Sequence, residues 1–98
     1  MAAQSIEAIK NKEVRGCIMR ALALSQFNPI SSHTLQMALV DKCTDIMPQL
    51  LYLKDKGYIS VQDVSKENLG GIQYLINLTA KGVDLIEGSI TSDPGVTL

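Results

Sequence analysis

Few side chains in this sequence are of types that could act on a substrate or hold a metal. The thiols are Cys17 and Cys43, and the single imidazole is His33. A structural zinc needs about four nitrogen or sulfur ligands. Two cysteines without Cys-x-x-Cys spacing and one histidine do not make up that set. The cysteines could pair; two buried thiols in a cytosolic protein is the simpler reading. His33 falls one or two residues into a capped helix, with no Cys or Ser beside it in a nucleophile motif. Gly70-Gly71 is followed by no phosphate-binding lysine and is explained by a hairpin turn. The carboxylates are scattered at helical surface spacing, with no pair set in an apolar pocket. The sequence therefore predicts no catalytic residues, no metal and no cofactor.

What remains is surface chemistry. Nine basic and ten acidic residues give a net charge of −1. Nucleic-acid binders often show a basic balance, so this count argues against a large phosphate-tracking surface. A local basic patch is still compatible with it, because affinity follows local rather than total charge. Lys10, Lys12, Arg15 and Arg20 form the densest basic set, offset in part by Glu7 and Glu13.

These residues must be positioned by a small body. Ninety-eight residues, 46% of them hydrophobic, make one domain with a modest core. One Phe, three Tyr and no Trp leave the packing to aliphatic side chains. No apolar signal core opens the chain and no 18-residue apolar run exists, so a soluble, cytoplasmic protein with no membrane segment is expected.

The apolar periodicity predicts a helix over residues 5–25 with Ser5 as its cap and a stripe of Val14, Cys17, Ile18, Ala21 and Leu22. Ile6 and Ile9 fall out of phase with that stripe, and Asn11-Lys12 marks a candidate break. Residues 26–30 read as a connector around Pro29. Ser31 or Ser32 then caps a second helix running to about Val40. Thr44 or Asp45 caps a third, with Pro48 in its first turn. Ile46, Leu50, Leu53 and Gly57 recur at helical spacing as its buried stripe. Gly57 supplies a left-handed cap, and Lys56 a cation where the macrodipole favours one. Strands are expected at 59–64 and 72–78, joined by the polar loop 65–71 as a hairpin. Thr79 caps a last short helix.

Three segments carry a family likeness: residues 13–22, then Leu50-Leu51-Tyr52-Leu53-Lys54-Asp55-Lys56-Gly57-Tyr58-Ile59, then Leu78-Thr79-Ala80-Lys81-Gly82. In this order they resemble the winged helix-turn-helix superfamily, in particular small bacterial or bacteriophage regulators. The resemblance covers about residues 13–87. It implies an α+β fold in the order α-α-α-β-β-α, a three-helix core with a two-stranded wing. The expected organisation is an N-terminal helical extension at 1–12, the winged-helix domain at 13–88 and a flexible tail at 89–98.

The resemblance implies a DNA-binding transcriptional regulator on double-stranded DNA, with the third helix in the major groove and the wing on phosphate. Carried onto this chain, Thr44, Gln49 and Tyr52 would approach the DNA, Lys42 and Lys54 would contact phosphates, and Lys66 would serve the wing. Palindromic half-sites call for two readers, so a homodimer is expected, with Ile6 and Ile9 as contact candidates. The residue chemistry offers an alternative. Pro48, Leu51, Tyr52 and Asp55 occupy the outer arc of the third helix, flanked by Asp45 and Met47, and such an arc lacks the donors that base edges need. A surface of Met47, Pro48, Leu51 and Tyr52 suits a protein partner instead.

Overall fold

A computed structural model of the chain describes residues 6–25, 28–64 and 74–98. The elements are α1 (Ile6–Leu24), β1 (Ile30–Ser31), α2 (Ser32–Ala38), α3 (Met47–Asp55), β2 (Ile59–Asp63), β3 (Tyr74–Leu78) and α4 (Ala80–Glu87). The domain is α+β, with four helices and a three-stranded antiparallel sheet of order β1-β3-β2 among the described residues.

The third strand of this sheet is a correction to the expected two-stranded hairpin. The chain after Pro29 is not only a connector. Proline fixes its own φ in a range that suits extended backbone, and Ile30 and Ser31 pair with Ile76 and Leu75. On the other side of β3, Ile59 pairs with Leu78 and Asp63 with Tyr74. The loop expected at 65–71, the start of the second strand at Ile72, the cap at Ser5 and the wing residue Lys66 lie outside the described residues.

Helix α1 runs without a break through Asn11 and Lys12. Its buried face is Val14, Ile18, Met19 and Leu22. Ser31 caps α2 by accepting from the Thr34 amide. Helix α3 starts differently from the expectation. Ile46 occupies the cap position and makes no side-chain cap bond, while Asp45 Oδ1 accepts from the Met47 amide at 3.0 Å. Pro48 lies in the first turn, where its missing N–H leaves no bond unmade.

The stripe on α3 packs as its spacing requires. Ile46, Leu50 and Leu53 are each at most 1% exposed and meet α1, Leu35 and Leu39 of the second helix segment, and Ile76 of the sheet in one core. Gly57 ends α3 at φ 85°, a left-handed conformation that any Cβ would strain, and the chain enters β2 two residues later. Thr79 caps α4 by accepting from the Gly82 amide, and Gly88 closes that helix at φ 78°.

Leu50 touches the core from the centre of this arrangement, and its truncation leaves a cavity the rigid surround cannot fill. Leu50→Ala is expected to destabilise the domain by about 3 kcal/mol, read as a lowered urea midpoint with unchanged slope.

Candidate functional site

Helix α3 and the surfaces on either side of it hold most of the residues expected to contact a partner. One side of the helix is closed by Arg15. This side chain reaches from α1 and donates from Nε to Gln49 Oε1 at 2.7 Å and from Nη1 to the Gly95 carbonyl at 3.1 Å. Its guanidinium carbon lies 3.6 Å above the centre of the Tyr52 ring. Gln49 in turn donates to Asn11 Oδ1 at 3.0 Å and is 7% exposed. Tyr52 is half-buried and packs against the core. Two of the three residues expected to approach the DNA are thus engaged within the body.

The closure is completed by the end of the chain. Residues 89–98, expected to be a loose tail, fold back over α1 and α3. Asp93, Pro94, Gly95 and Val96 form a turn closed by the Val96 amide on the Asp93 carbonyl at 3.0 Å. Proline at the second position of a turn is favoured because its φ is already set. Val96 is buried in the core cluster. The Thr97 amide donates to the Lys12 carbonyl at 3.1 Å, and Arg20 Nη1 donates to the Thr97 carbonyl at 3.2 Å. Two glycines make room for this strap. A methyl at Gly16 would collide with the Thr97 carbonyl, and a methyl at Gly95 would collide with the Tyr52 hydroxyl.

A second clasp holds Asp93. Its Oδ2 accepts from Tyr58 Oη at 2.6 Å and lies 3.4 Å from Lys56 Nζ, while Oδ1 accepts from the Gly95 amide at 2.7 Å. Burial raises the carboxyl's proton affinity, but the hydrogen bonds from Tyr58, Gly95 and Lys56 outweigh it and hold Asp93 below its ordinary value. Tyr58 is pushed up to about 12, first by burial and then by its bond to Asp93 and that carboxylate's charge. Lys56 is 44% exposed, so the ion pair itself adds little.

The other side of α3 is open. Pro48 and Asp55 are exposed, Leu51 is 48% exposed, and Met47 is half-buried against the core. Lys42 and Thr44 are exposed ahead of the helix and Lys54 is exposed in its last turn. Asp41 and Asp45 are exposed beside them. Lys66 lies outside the described residues. Ile6 and Ile9 are exposed on the first turns of α1, Ile6 at 75%.

A separate shallow pocket beside α2 is lined by Ser32, His33, Gln36, Ile46, Met47 and Tyr74. Two of its polar side chains, Ser32 and Gln36, are already bonded within the fold. Ser32 Oγ accepts from the Tyr74 amide at 3.2 Å. Gln36 donates to the Cys43 carbonyl and accepts from the Ile46 amide, both at 2.9 Å. Cys17 and Cys43 are separate free thiols, the first accepting from Arg20 Nη2 at 3.3 Å and the second donating to the Asp45 carbonyl at 3.0 Å. Among the described residues no three His, Cys, Asp or Glu side chains gather as metal ligands, and no helix is long and apolar enough to cross a membrane. No family model matches this chain, and no curated protein or solved structure does either.

The roles of Arg15, Asn11 and Asp93 were not visible to helical periodicity, because their partners lie far away in sequence. The Asp-Pro-Gly-Val run was a usable signal. It has Asp at the first position of a turn and Pro at the second, followed by an aliphatic residue in need of burial.

The depressed Asp93 carboxyl makes the strap sensitive to acid in one direction. Its contribution is complete above the ordinary carboxylate value of 3.8 and is lost as pH falls through the lower value of the folded chain. Wild type and Asp93→Asn are therefore expected to differ in urea midpoint at neutral pH, and to converge in strong acid. A difference that persists unchanged into strong acid would show that the carboxylate charge is not what holds the clasp.

Proposed function

We propose that this chain is a winged-helix protein–protein interaction module that meets its partner through the open side of α3, at Met47, Pro48 and Leu51. The element order and the antiparallel sheet are compatible with a winged helix, and the resemblance of residues 13–87 supports that reading. One observation carries the choice of partner. Gln49 and Tyr52, the donors that a reading helix would present, are held by Arg15 beneath the strap. The surface that α3 leaves open is apolar at Pro48 and Leu51 and acidic at Asp45 and Asp55. Base edges need hydrogen-bond donors and acceptors, and carboxylates near phosphates repel. Exposed aliphatic surface beside a proline and a methionine instead gains free energy when a protein covers it.

A second reading, binding of double-stranded DNA by a transcriptional regulator, is favoured by the exposure of Lys42, Thr44 and Lys54 at the two ends of α3. The two readings differ in their response to salt. Fluorescence anisotropy with a labelled random duplex is expected to show no salt-dependent binding. A log Kd that moves with log salt at a slope of roughly 0.9 per neutralised phosphate would replace the protein reading with the DNA reading. In parallel, a protein cross-linked to the wild-type chain in cell extract should be lost with Leu51→Glu and retained with Lys42→Glu. The reverse pattern would defeat the α3 interface. Both substitutions lie at exposed positions and should leave the urea midpoint nearly unchanged.

A further inference from the structure

Residues 93–97 lie in the groove between α1 and α3 much as a bound peptide would. The contacts are of the kinds that peptide recognition uses: a carboxylate clasped by a phenol and an ammonium, main-chain bonds, and one aliphatic side chain in a pocket. Asp93 is met by Tyr58 and Lys56. The Gly95 carbonyl is met by Arg15. The Thr97 amide and carbonyl are met by the Lys12 carbonyl and by Arg20. Val96 fills the apolar position.

The receiving side is shaped for backbone. Gly16 presents no side chain where the Thr97 carbonyl sits against α1. The occupant gives only one apolar side chain to the core. Val96 is its one buried apolar side chain, the Asp93 side chain is 8% exposed, and Pro94, Thr97 and Leu98 are exposed. The stretch that leads to it from α4 has Ser89, Thr91 and Ser92 exposed and only Ile90 half-buried. Segments with few buried apolar contacts and solvent-exposed backbone bonds open well below the free energy of global unfolding.

We propose that the α1–α3 groove is a docking site for a turn-forming peptide of a partner protein, kept closed in cis by residues 93–97. The inference rests on the interaction-module reading but uses a surface distinct from Met47, Pro48 and Leu51. The resident segment defines the chemistry of the peptide that fits. It carries a carboxylate, then a glycine whose carbonyl faces Arg15, then a β-branched aliphatic residue and a backbone that pairs with α1. An arriving peptide displaces the strap, and the strap in place lowers apparent affinity by the fraction of time the groove is open.

Val96→Asp expels the strap from its own side and leaves every groove residue intact. A fluorescein-labelled peptide with the sequence of residues 91–98 is added in trans and read by anisotropy. It should bind the full-length Val96→Asp chain roughly tenfold or more tighter than wild type, as expected when an internal competitor is removed. The same peptide carrying aspartate at the Val96 position should not bind. Adding Gly16→Ala to the variant, which sets a methyl against the Thr97 carbonyl position, should abolish binding. Leu51→Glu should leave it unaltered, which separates failure of this groove from failure of the α3 interface. A folded Val96→Asp chain that ignores the peptide overturns the proposal. So does a Val96→Asp chain that has lost its helical circular dichroism, because the segment is then part of the core. Hydrogen exchange on the wild-type chain gives an independent reading. The Val96 and Thr97 amides should exchange faster than the Ile18 amide under identical conditions, and equal rates would overturn the strap's opening.

Discussion

A guanidinium taken partly out of water must be given partners, and Arg15 organises the centre of this domain by that requirement. It has donors in a rigid fork and cannot shed its charge. The fold answers with an amide oxygen from α3, a main-chain carbonyl from the end of the chain and the face of an aromatic ring. Each partner comes from a different part of the sequence, so one side chain ties α1, α3 and the strap together. Gln49 is then completed by Asn11, and no buried side-chain polar atom among the described residues lacks a partner. Polar networks of this kind are stabilising only when every member is satisfied.

That network divides α3 into three surfaces with different uses. Ile46, Leu50 and Leu53 belong to the core. Gln49 and Tyr52 belong to the seam with α1 and the strap. Pro48, Leu51 and Asp55 face outward. A helix of nine residues has little circumference left after two of its three sides are engaged. What it can offer a partner is therefore set less by its overall composition than by which polar groups the seam has already taken.

The parts of the fold legible in the sequence were those governed by neighbours in the chain. The Ile46, Leu50, Leu53 stripe, the left-handed Gly57 and the Thr79 cap all follow from spacing within a turn or two of helix. The hidden parts are governed by partners far away. A helical wheel placed Tyr52 on the outer arc, and nothing local revealed that Arg15 would lie over it. Strand β1 is two residues long and exists only because β3 has an edge to offer, so no alternation could announce it. The end of the chain read as loose because turn-forming residues are common in tails. Its Asp-Pro-Gly-Val run is instead a compact turn that seats Val96.

The bond from Arg15 to Gly95 spans 80 positions, and that separation has a kinetic meaning. Closing so long a loop costs chain entropy before any contact repays it. The contact is among the longest in sequence separation in this domain, and such contacts are expected to form late. Interactions formed after the rate-limiting barrier slow unfolding without hastening folding. The strap's energetic weight thus falls on the lifetime of the native state, and the body it closes can take shape before it arrives.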